Sequence, residues 1–183
     1  MAKLDITNVP RELDALIGIA PSARHRRILE NVRRHYLLEL CGRIDDILAP
    51  DMTVDEPVYY INLDGSSRTL RGRAEVRSFY KEVEGLIFAC EETAHAVTDE
   101  GYWLESRFNF YVPGAALGLD PDGWYRRRQW IAMRWPFDED ARLIGEHIYE
   151  HADLTDVVPI DPADVITPEE ARRVLEPLIR PLA

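Results

Sequence analysis

A short strand-like run, Thr53-Val-Asp-Glu-Pro-Val58, places a carboxylate among apolar side chains. Side chains two residues apart in a strand share a face, so Val54, Glu56, Val58 and Tyr60 are expected to point the same way. Val54 and Val58 mark that face as the inside, and Glu56 would turn inward with them. Burial would raise the pKa of the Glu56 carboxyl group and suit it to proton transfer. The alternative is that Glu56 lies at a strand edge and pairs with an arginine.

Two histidines near the end of the predicted sheet could assist this chemistry. His147, Tyr149 and His151 share one face of a predicted strand over residues 143–151. Because histidine titrates near neutral pH, His147 could help Glu56 to move a proton. Two histidines and a glutamate would suit a metal ion, but no ligand from a third strand converges on them, so we expect no metal site.

Other polar residues lie on earlier predicted strands. His95 could line the same pocket as Glu56, or it could be a structural histidine held by hydrogen bonds. Arg107 and Asn109 share a face of the predicted central strand. We take Asn109, with His95 and Tyr60, as a candidate substrate-binding residue, and we expect Arg107 to form an ion pair with Glu105 or Glu146.

Two amphipathic helices would hold these groups in place. The first follows a capping residue, Ser22, and its apolar stripe directs the Tyr36 hydroxyl inward. The stripe consists of Ile28, Val32, Tyr36 and Leu40. The second helix follows the i, i+3, i+4, i+7 pattern and ends at Gly85. Its apolar positions are Val76, Phe79, Tyr80 and Val83.

The rest of the chain reads as strands and a terminal helix. Strand-like segments cover residues 86–97, 102–112, 124–135 and 143–151. The first two flank a turn and predict a hairpin. The Gly- and Pro-containing segment 113–123 predicts a mobile loop, and the capping box at Thr167 predicts a helix over residues 168–180. We expect this loop and this helix to frame the mouth of a pocket.

Composition limits the class of protein. The chain has 183 residues, 46% of them hydrophobic and 30% charged, which suits a single domain with a sizeable core. A formal charge of −11 argues against nucleic-acid binding. Two cysteines, no apolar leader and no run long enough to span a membrane lead us to expect a cytoplasmic protein without a membrane partner.

The order of these segments resembles the nuclear transport factor 2-like (NTF2-like) superfamily, especially its SnoaL-like and ketosteroid isomerase branches. The matching pieces are residues 42–51, the Glu56-Pro57 step and residues 72–80, within a resemblance that spans about residues 28–151. The resemblance implies an α+β fold shaped like a cone, with helices packed on a strongly curved antiparallel sheet around an apolar pocket. It divides the chain into an N-terminal extension (1–21), the SnoaL-like domain (22–153) and a C-terminal linker and helix (154–183).

The resemblance also implies roles for two residues. Glu56 occupies the place of the isomerase carboxylate that shuttles a proton beside the substrate carbonyl. Tyr36 lies on the helix that carries the isomerase's oxyanion-binding tyrosine, although it could equally be a core tyrosine bonded to a backbone carbonyl. The second oxyanion donor, an aspartate on a late strand, has no counterpart in residues 130–134. Asn109 stands where the epoxide hydrolase branch has an aspartate, and residues 40–42 lack the carboxylate of the dehydratase branch.

These observations predict a cofactor-free acid–base enzyme that isomerises, cyclises or dehydrates a hydrophobic small molecule. Glu56, Tyr36 and His147 would be its catalytic residues. A non-catalytic small-molecule-binding protein with the same pocket is the alternative, because one fold hosts many functions. Large aromatic residues on the predicted sheet, namely Trp103, Tyr111, Trp124 and Trp130, lead us to expect a homodimer through its convex face.

Overall fold

The fold begins with two helices that pack against each other. In a computed structural model, which describes residues 3–182, helix α1 spans Asn8–Gly18 and helix α2 spans Ala23–Leu40. The Ser22 side chain accepts a hydrogen bond from the backbone N–H of His25 at 3.1 Å, so the predicted cap of α2 is confirmed. A single helical turn, α3 (Ile44–Ile47), leads from α2 towards the sheet.

Seven strands form one mostly antiparallel sheet. They are β1 (Val58–Leu63), β2 (Ser66–Arg71), β3 (Phe88–Thr98), β4 (Gly101–Pro113), β5 (Trp124–Pro136), β6 (His147–Glu150) and β7 (Asp156–Ile160). Their order is β2-β1-β6-β5-β4-β3, and β7 pairs with the first half of β5. Only β1 and β6 run parallel to each other among the paired strands of residues 3–182. The predicted α+β class and curved sheet are confirmed.

A β-bulge and two further helices complete the cone. The pairing of β3 with β4 shifts between Glu91 and Ala94, where Glu92 has a φ of 55°, and such a bulge increases local twist and bends the strand. Helix α4 spans Gly72–Glu82 and buries Val76 and Tyr80, two of the positions on its predicted stripe. The short helix α5 (Gly114–Leu117) occupies the start of the predicted loop.

The terminal segment packs on the same chain. Helix α6 spans Pro168–Leu175, and the Thr167 hydroxyl caps it by accepting from the Glu170 N–H, as predicted. A 3₁₀ turn over Glu176–Leu178 follows, because Pro177 cannot continue an α-helical hydrogen-bond ladder, so the predicted helix is shorter than expected.

Arg33 connects the terminal segment to the first two helices. The buried guanidinium of Arg33 on α2 donates to the Leu178 carbonyl oxygen and pairs with Asp14 of α1.

Cys41 and Cys90 are buried free thiols. No helix within residues 3–182 combines the length and the apolar character needed to cross a lipid bilayer.

Candidate active site

An apolar cavity of about 530 Å³ lies between the sheet and helices α2 and α4. Aliphatic and aromatic side chains from both layers form most of its wall, as is typical of pockets that hold small molecules. They include Val32, Phe79, Ile87, Phe88, Leu104, Phe108, Phe110, Ile131, Met133 and Ile148. The cavity is therefore suited to a molecule with an extended apolar body.

The two segments predicted to frame the cavity both contribute to its wall. Ala116 and Leu117 come from α5, and Pro168 and Arg172 come from α6. Arg172 is exposed and donates to the backbone carbonyl of Cys41, so α6 is tied to the end of α2 beside the cavity.

A cluster of polar side chains interrupts the apolar wall. His35 and Glu39 lie one turn apart on α2, Tyr59 comes from β1, Tyr80 comes from α4, and Glu146 directly precedes β6. We call these five residues the acid cluster. Glu39, Tyr80 and Glu146 line the cavity itself, whereas His35 and Tyr59 lie fully buried behind them.

A glycine sets the position of Glu146. A Cβ atom on Gly145 would lie 1.8 Å from the carbonyl oxygen of Val58, so only glycine allows the two segments to approach this closely. The Val58 N–H donates to the Ile144 carbonyl at 3.0 Å, and the Tyr60 N–H donates to the Glu146 carbonyl at 2.7 Å. Backbone hydrogen bonds from β1 to the residues on both sides of Gly145 therefore fix the position of Glu146.

Hydrogen bonds connect the members of the acid cluster. The Tyr80 hydroxyl donates to Oε1 of Glu146 at 2.9 Å, which leaves its oxygen free to accept from Nε2 of His35 at 2.8 Å. That pattern assigns the imidazole proton to Nε2, which also lies 3.3 Å from Oε1 of Glu146. The Tyr59 hydroxyl lies 3.3 Å from that of Tyr80 and can donate to it. Neutral donors therefore surround a single carboxylate oxygen.

Burial shifts the pKa values of the two carboxyl groups upward. It raises the pKa of Glu146 from 4.5 to about 7, against the opposing effect of the hydrogen bonds from Tyr80 and Tyr59. Burial, and then the charge of Glu146, raises the pKa of Glu39 to about 8. The Glu39 side chain borders the cavity, and 29% of its surface is accessible. Near neutral pH the two carboxyl groups therefore hold about one proton between them.

The other members of the acid cluster remain neutral. Burial lowers the pKa of His35 to about 3, and burial together with the charge of Glu146 raises the pKa of both Tyr59 and Tyr80. These groups can orient Glu146 and hydrogen-bond to it, but their charge does not change near neutral pH. The titrating groups of the cluster are therefore its two carboxyl groups.

Trp135 adds an unpaired donor beside the acid cluster. Its ring packs on His35 with the centroids 4.5 Å apart, and it also lines the cavity. Its indole N–H is buried and has no hydrogen-bond partner among the described residues. A buried donor without a partner costs free energy, so this N–H lowers the stability of the fold.

Glu56 does not lie in the apolar interior, and that prediction is wrong. Its side chain is exposed and absent from the cavity wall. The chain bends at Asp55 and Glu56, so the alternation assumed for the run does not hold before β1 begins at Val58. As a result Tyr59 is fully buried, while 39% of Tyr60 is exposed. The candidate carboxylate at the cavity is Glu146 instead.

The other predicted site residues are dispersed. Tyr36 lines the cavity, and its hydroxyl donates weakly to the Ile6 carbonyl at 3.4 Å, in line with the core-tyrosine alternative. His147 packs against Tyr60 on the face of the sheet opposite Glu146, with ring centroids 4.8 Å apart. Burial and nearby Arg134 lower the pKa of His147. Neither His147 nor Tyr60 borders the cavity.

The predicted residues on β3 and β4 have structural partners. His95 bonds to the Tyr102 hydroxyl at 2.6 Å and to Glu12 at 3.0 Å, which agrees with the structural alternative. Asn109 is fully buried and donates to the Ala89 carbonyl at 3.2 Å, away from the cavity wall.

Arg107 has partners other than those predicted. It pairs with Glu91 and Glu92 at the β-bulge, so the expected ion pair with Glu105 or Glu146 is wrong. The bulge changes which side chains lie opposite each other on β3 and β4. The alternation of residues along a single strand cannot predict this change of register.

The sequence contained signals for the acid cluster. His35 and Glu39 are spaced i, i+4 beside the apolar stripe of α2, and Tyr80 lies on the stripe of α4. Glu146 shares the inward face of the sheet with Ile148.

Within residues 3–182, no group of three or more His, Cys, Asp or Glu residues is arranged to hold a metal ion.

The fold is similar to several solved structures. A candidate polyketide cyclase from Xanthomonas campestris pv. campestris superposes with a TM-score of 0.55 at 14% identity, covering 72% of this chain and 95% of that one. A candidate SnoaL-like polyketide cyclase from Shewanella putrefaciens gives 0.57 at 11% identity, covering 84% and 93%. SalBIII, an epoxide hydrolase/cyclase-like enzyme of pyran ring formation in the polyether salinomycin, gives 0.50 at 12% identity, covering 70% and 94%.

These similarities concern the fold. The amino-acid sequence matches no protein-family model and no curated protein. These three structural matches cover 93–95% of the proteins they come from, and one of those proteins is a candidate SnoaL-like polyketide cyclase. The chain has the NTF2-like fold.

Proposed function

We propose that this protein is a cofactor-free acid–base enzyme that isomerises, cyclises or dehydrates an apolar small molecule. The observation that carries the proposal is a buried carboxylate, Glu146, with a pKa near 7 on the wall of an apolar cavity. A general base works best when its pKa lies near the working pH, and Glu146 meets that condition. The similarity of the fold to cyclases adds support but does not carry the proposal.

The two carboxyl groups would divide the chemistry. Ionised Glu146 would remove a proton from a carbon or hydroxyl group of the substrate, and protonated Glu39 would donate a hydrogen bond or a proton to the substrate oxygen. At the end of the reaction the proton on Glu146 returns to the product or to solvent, and Glu39 is reprotonated.

Tyr80, Tyr59 and His35 would serve as positioning residues. Tyr80 donates to the carboxylate oxygen of Glu146, and His35 in turn donates to Tyr80. These bonds stabilise the ionised carboxylate in a site that burial would otherwise make too basic. They also restrict rotation of the Glu146 carboxylate. Its conformational entropy is therefore lost on folding and need not be lost when the substrate reacts.

An exchange assay tests the proposal without knowledge of the natural substrate. The protein is incubated in D₂O with hydrophobic ketones that have acidic α-hydrogens, such as 1-tetralone, β-ionone and 4-androstene-3,17-dione, and deuterium uptake is measured by mass spectrometry. We expect protein-dependent exchange with at least one ketone, lowered at least about 100-fold by Glu146→Gln.

Two matched variants control this assay. Glu84→Gln removes another glutamate that lines the cavity but lies outside the acid cluster, and Glu56→Gln removes the carboxylate predicted from the sequence. Both should exchange at the rate of the unaltered protein. Loss of exchange in Glu56→Gln but not in Glu146→Gln would refute the proposed base.

A non-catalytic binding protein is the second candidate. The observation that favours it is the mutual hydrogen bonding of His35, Tyr80 and Glu146, which could simply stabilise a polar end of the pocket. In that case a ketone would bind in the cavity, as shown by protection of the Trp135 indole from quenchers, yet no exchange above background would occur.

We further propose that the chain forms a homodimer through the outer face of its sheet. Trp103 and Trp130 are only half-buried there, and Tyr60 and Tyr149 are 39% and 48% exposed. Exposed aromatic side chains of this kind are typical of interface cores. Tyr111, which was expected to share this surface, is instead buried, so it is not part of the proposed interface.

A further inference from the structure

A second polar group lies on the cavity wall, away from the acid cluster. Arg127 and Gln129 of β5 and Asp64 after β1 all line the cavity, and Glu150 of β6 and Thr155 are bonded to this group. We call these five residues the rim network. The side chains that follow Gln129 on the same inward face of β5, from Ile131 to Trp135, are apolar or aromatic, so the polarity of the wall changes along the strand.

Hydrogen bonds hold the rim network in one arrangement. Nε2 of Gln129 donates to Glu150 at 2.6 Å and to Asp64 at 3.2 Å. The Thr155 hydroxyl donates to the same Glu150 oxygen at 2.7 Å, and Arg127 pairs with Asp64. Both donor hydrogens of the Gln129 amide are therefore used, which fixes the direction of its carbonyl oxygen.

That oxygen has no partner. Gln129 is 4% exposed, and none of the described residues donates to its amide oxygen. Because Gln129 lines the cavity, a hydroxyl group of a bound molecule can donate to this free acceptor. The charged members of the network are already paired with each other, so a neutral hydroxyl suits this position better than an ion.

The sheet sets the distance between the two polar ends of the cavity. Glu146 directly precedes β6 and Glu150 ends it four residues later, so a rise of about 3.3 Å per residue places their backbones roughly 13 Å apart. Gln129 contacts Glu150 directly. The wall between the two ends is apolar, with Ile148 on β6 and Ile131 and Met133 on β5.

We propose that the rim network is a recognition subsite for a hydroxyl group at the end of the substrate remote from the reacting atoms. The substrate class is then an elongated apolar molecule with an oxygen function at one end, beside Glu146, and a hydroxyl at the other, beside Gln129. This inference rests on the proposed function only in requiring that the cavity bind the ligand, and it holds for a catalytic and for a binding protein alike.

A matched pair of linear alcohols tests the subsite. N-Phenyl-1-naphthylamine, whose fluorescence rises in apolar sites, is displaced from the cavity by 1-decanol or by 1,10-decanediol, whose extended length suits the distance between the two ends. The quantity measured is the ratio of their dissociation constants. Gln129→Met removes the acceptor at nearly constant length, and Thr155→Val removes another bond of the same network from a residue that does not line the cavity.

We expect Gln129→Met to weaken binding of the diol relative to decanol by about 3- to 10-fold, the effect of one hydrogen bond, while the affinity for decanol itself stays within about twofold. Thr155→Val should keep the ratio of the unaltered protein. An unchanged ratio in Gln129→Met, or an equal change in both variants, overturns the subsite. If neither alcohol displaces the dye, the cavity does not bind such ligands, and the proposed function fails with the subsite.

Discussion

Replacing Glu146 by glutamine should stabilise the protein at alkaline pH while removing the proposed proton-transfer activity. Glutamine has the size of glutamate, and its amide oxygen can still accept from Tyr80 and from Nε2 of His35. The substitution removes the negative charge that burial disfavours. Functional residues often lower stability in this way, because a site can require a buried charged or polar group that destabilises the folded state.

The magnitude follows from the pKa of Glu146. Burial raises it from 4.5 to about 7, which corresponds to about 3 kcal/mol at roughly 1.4 kcal/mol per pKa unit. Because the folded state binds this proton more tightly than the unfolded state, the free energy of unfolding falls as pH rises from 4.5 to about 7. The loss is complete above about pH 7. Glu146→Gln should therefore match the unaltered protein near pH 5 and exceed it by up to about 3 kcal/mol at pH 8.

Urea denaturation at intervals between pH 5 and pH 9 measures this difference. The low pKa of His35 also makes stability depend on pH below 6.5, but it acts in both proteins and cancels in the comparison. Glu84→Gln, which removes a glutamate outside the acid cluster, should show no such trend. A difference between Glu146→Gln and the unaltered protein that stays constant with pH, or a less stable variant at pH 8, would show that burial does not raise the pKa of Glu146.

Three further predictions concern the acid cluster, the packing of β6 and assembly. Tyr80→Phe removes a hydrogen bond that stabilises the Glu146 carboxylate, so the midpoint of its titration, followed by NMR, should move to higher pH. Gly145→Ala should destabilise the fold by about 3 kcal/mol or more in urea denaturation, whereas Gly18→Ala, where a Cβ meets nothing within 4 Å, should change it little. Tyr149→Glu should convert a dimer into a monomer in light scattering, and a monomeric unaltered protein would exclude that assembly.

Much of the fold could be predicted from local patterns. The Ser22 and Thr167 caps, the stripe on α2 and the hairpin of β3 and β4 each depend on residues close together in sequence, where helix and turn preferences act directly. The α+β class follows from the order of such segments.

The site could not be predicted as well, because its residues meet only through the tertiary fold. The bend at Glu56 exchanged the buried and exposed faces of the following strand, so Tyr59 rather than Tyr60 faces inward. Glu39 and Glu146 lie more than a hundred residues apart in sequence, and they come close only where helix α2 contacts the sheet across the cavity. A single-strand pattern contains no information about that contact.

The most direct test of the account is the titration of the Glu39 and Glu146 carboxyl groups. NMR of the protein labelled with ¹³C at the glutamate δ-carbon follows every glutamate carboxyl group, and Glu39→Gln and Glu146→Gln assign the two signals. We predict two signals with midpoints above pH 6, and a fall in the midpoint of Glu39 when Glu146 is replaced, because the charge of Glu146 contributes to the pKa of Glu39. If both groups titrate near pH 4.5, they are not buried acids and the proposed active site is wrong.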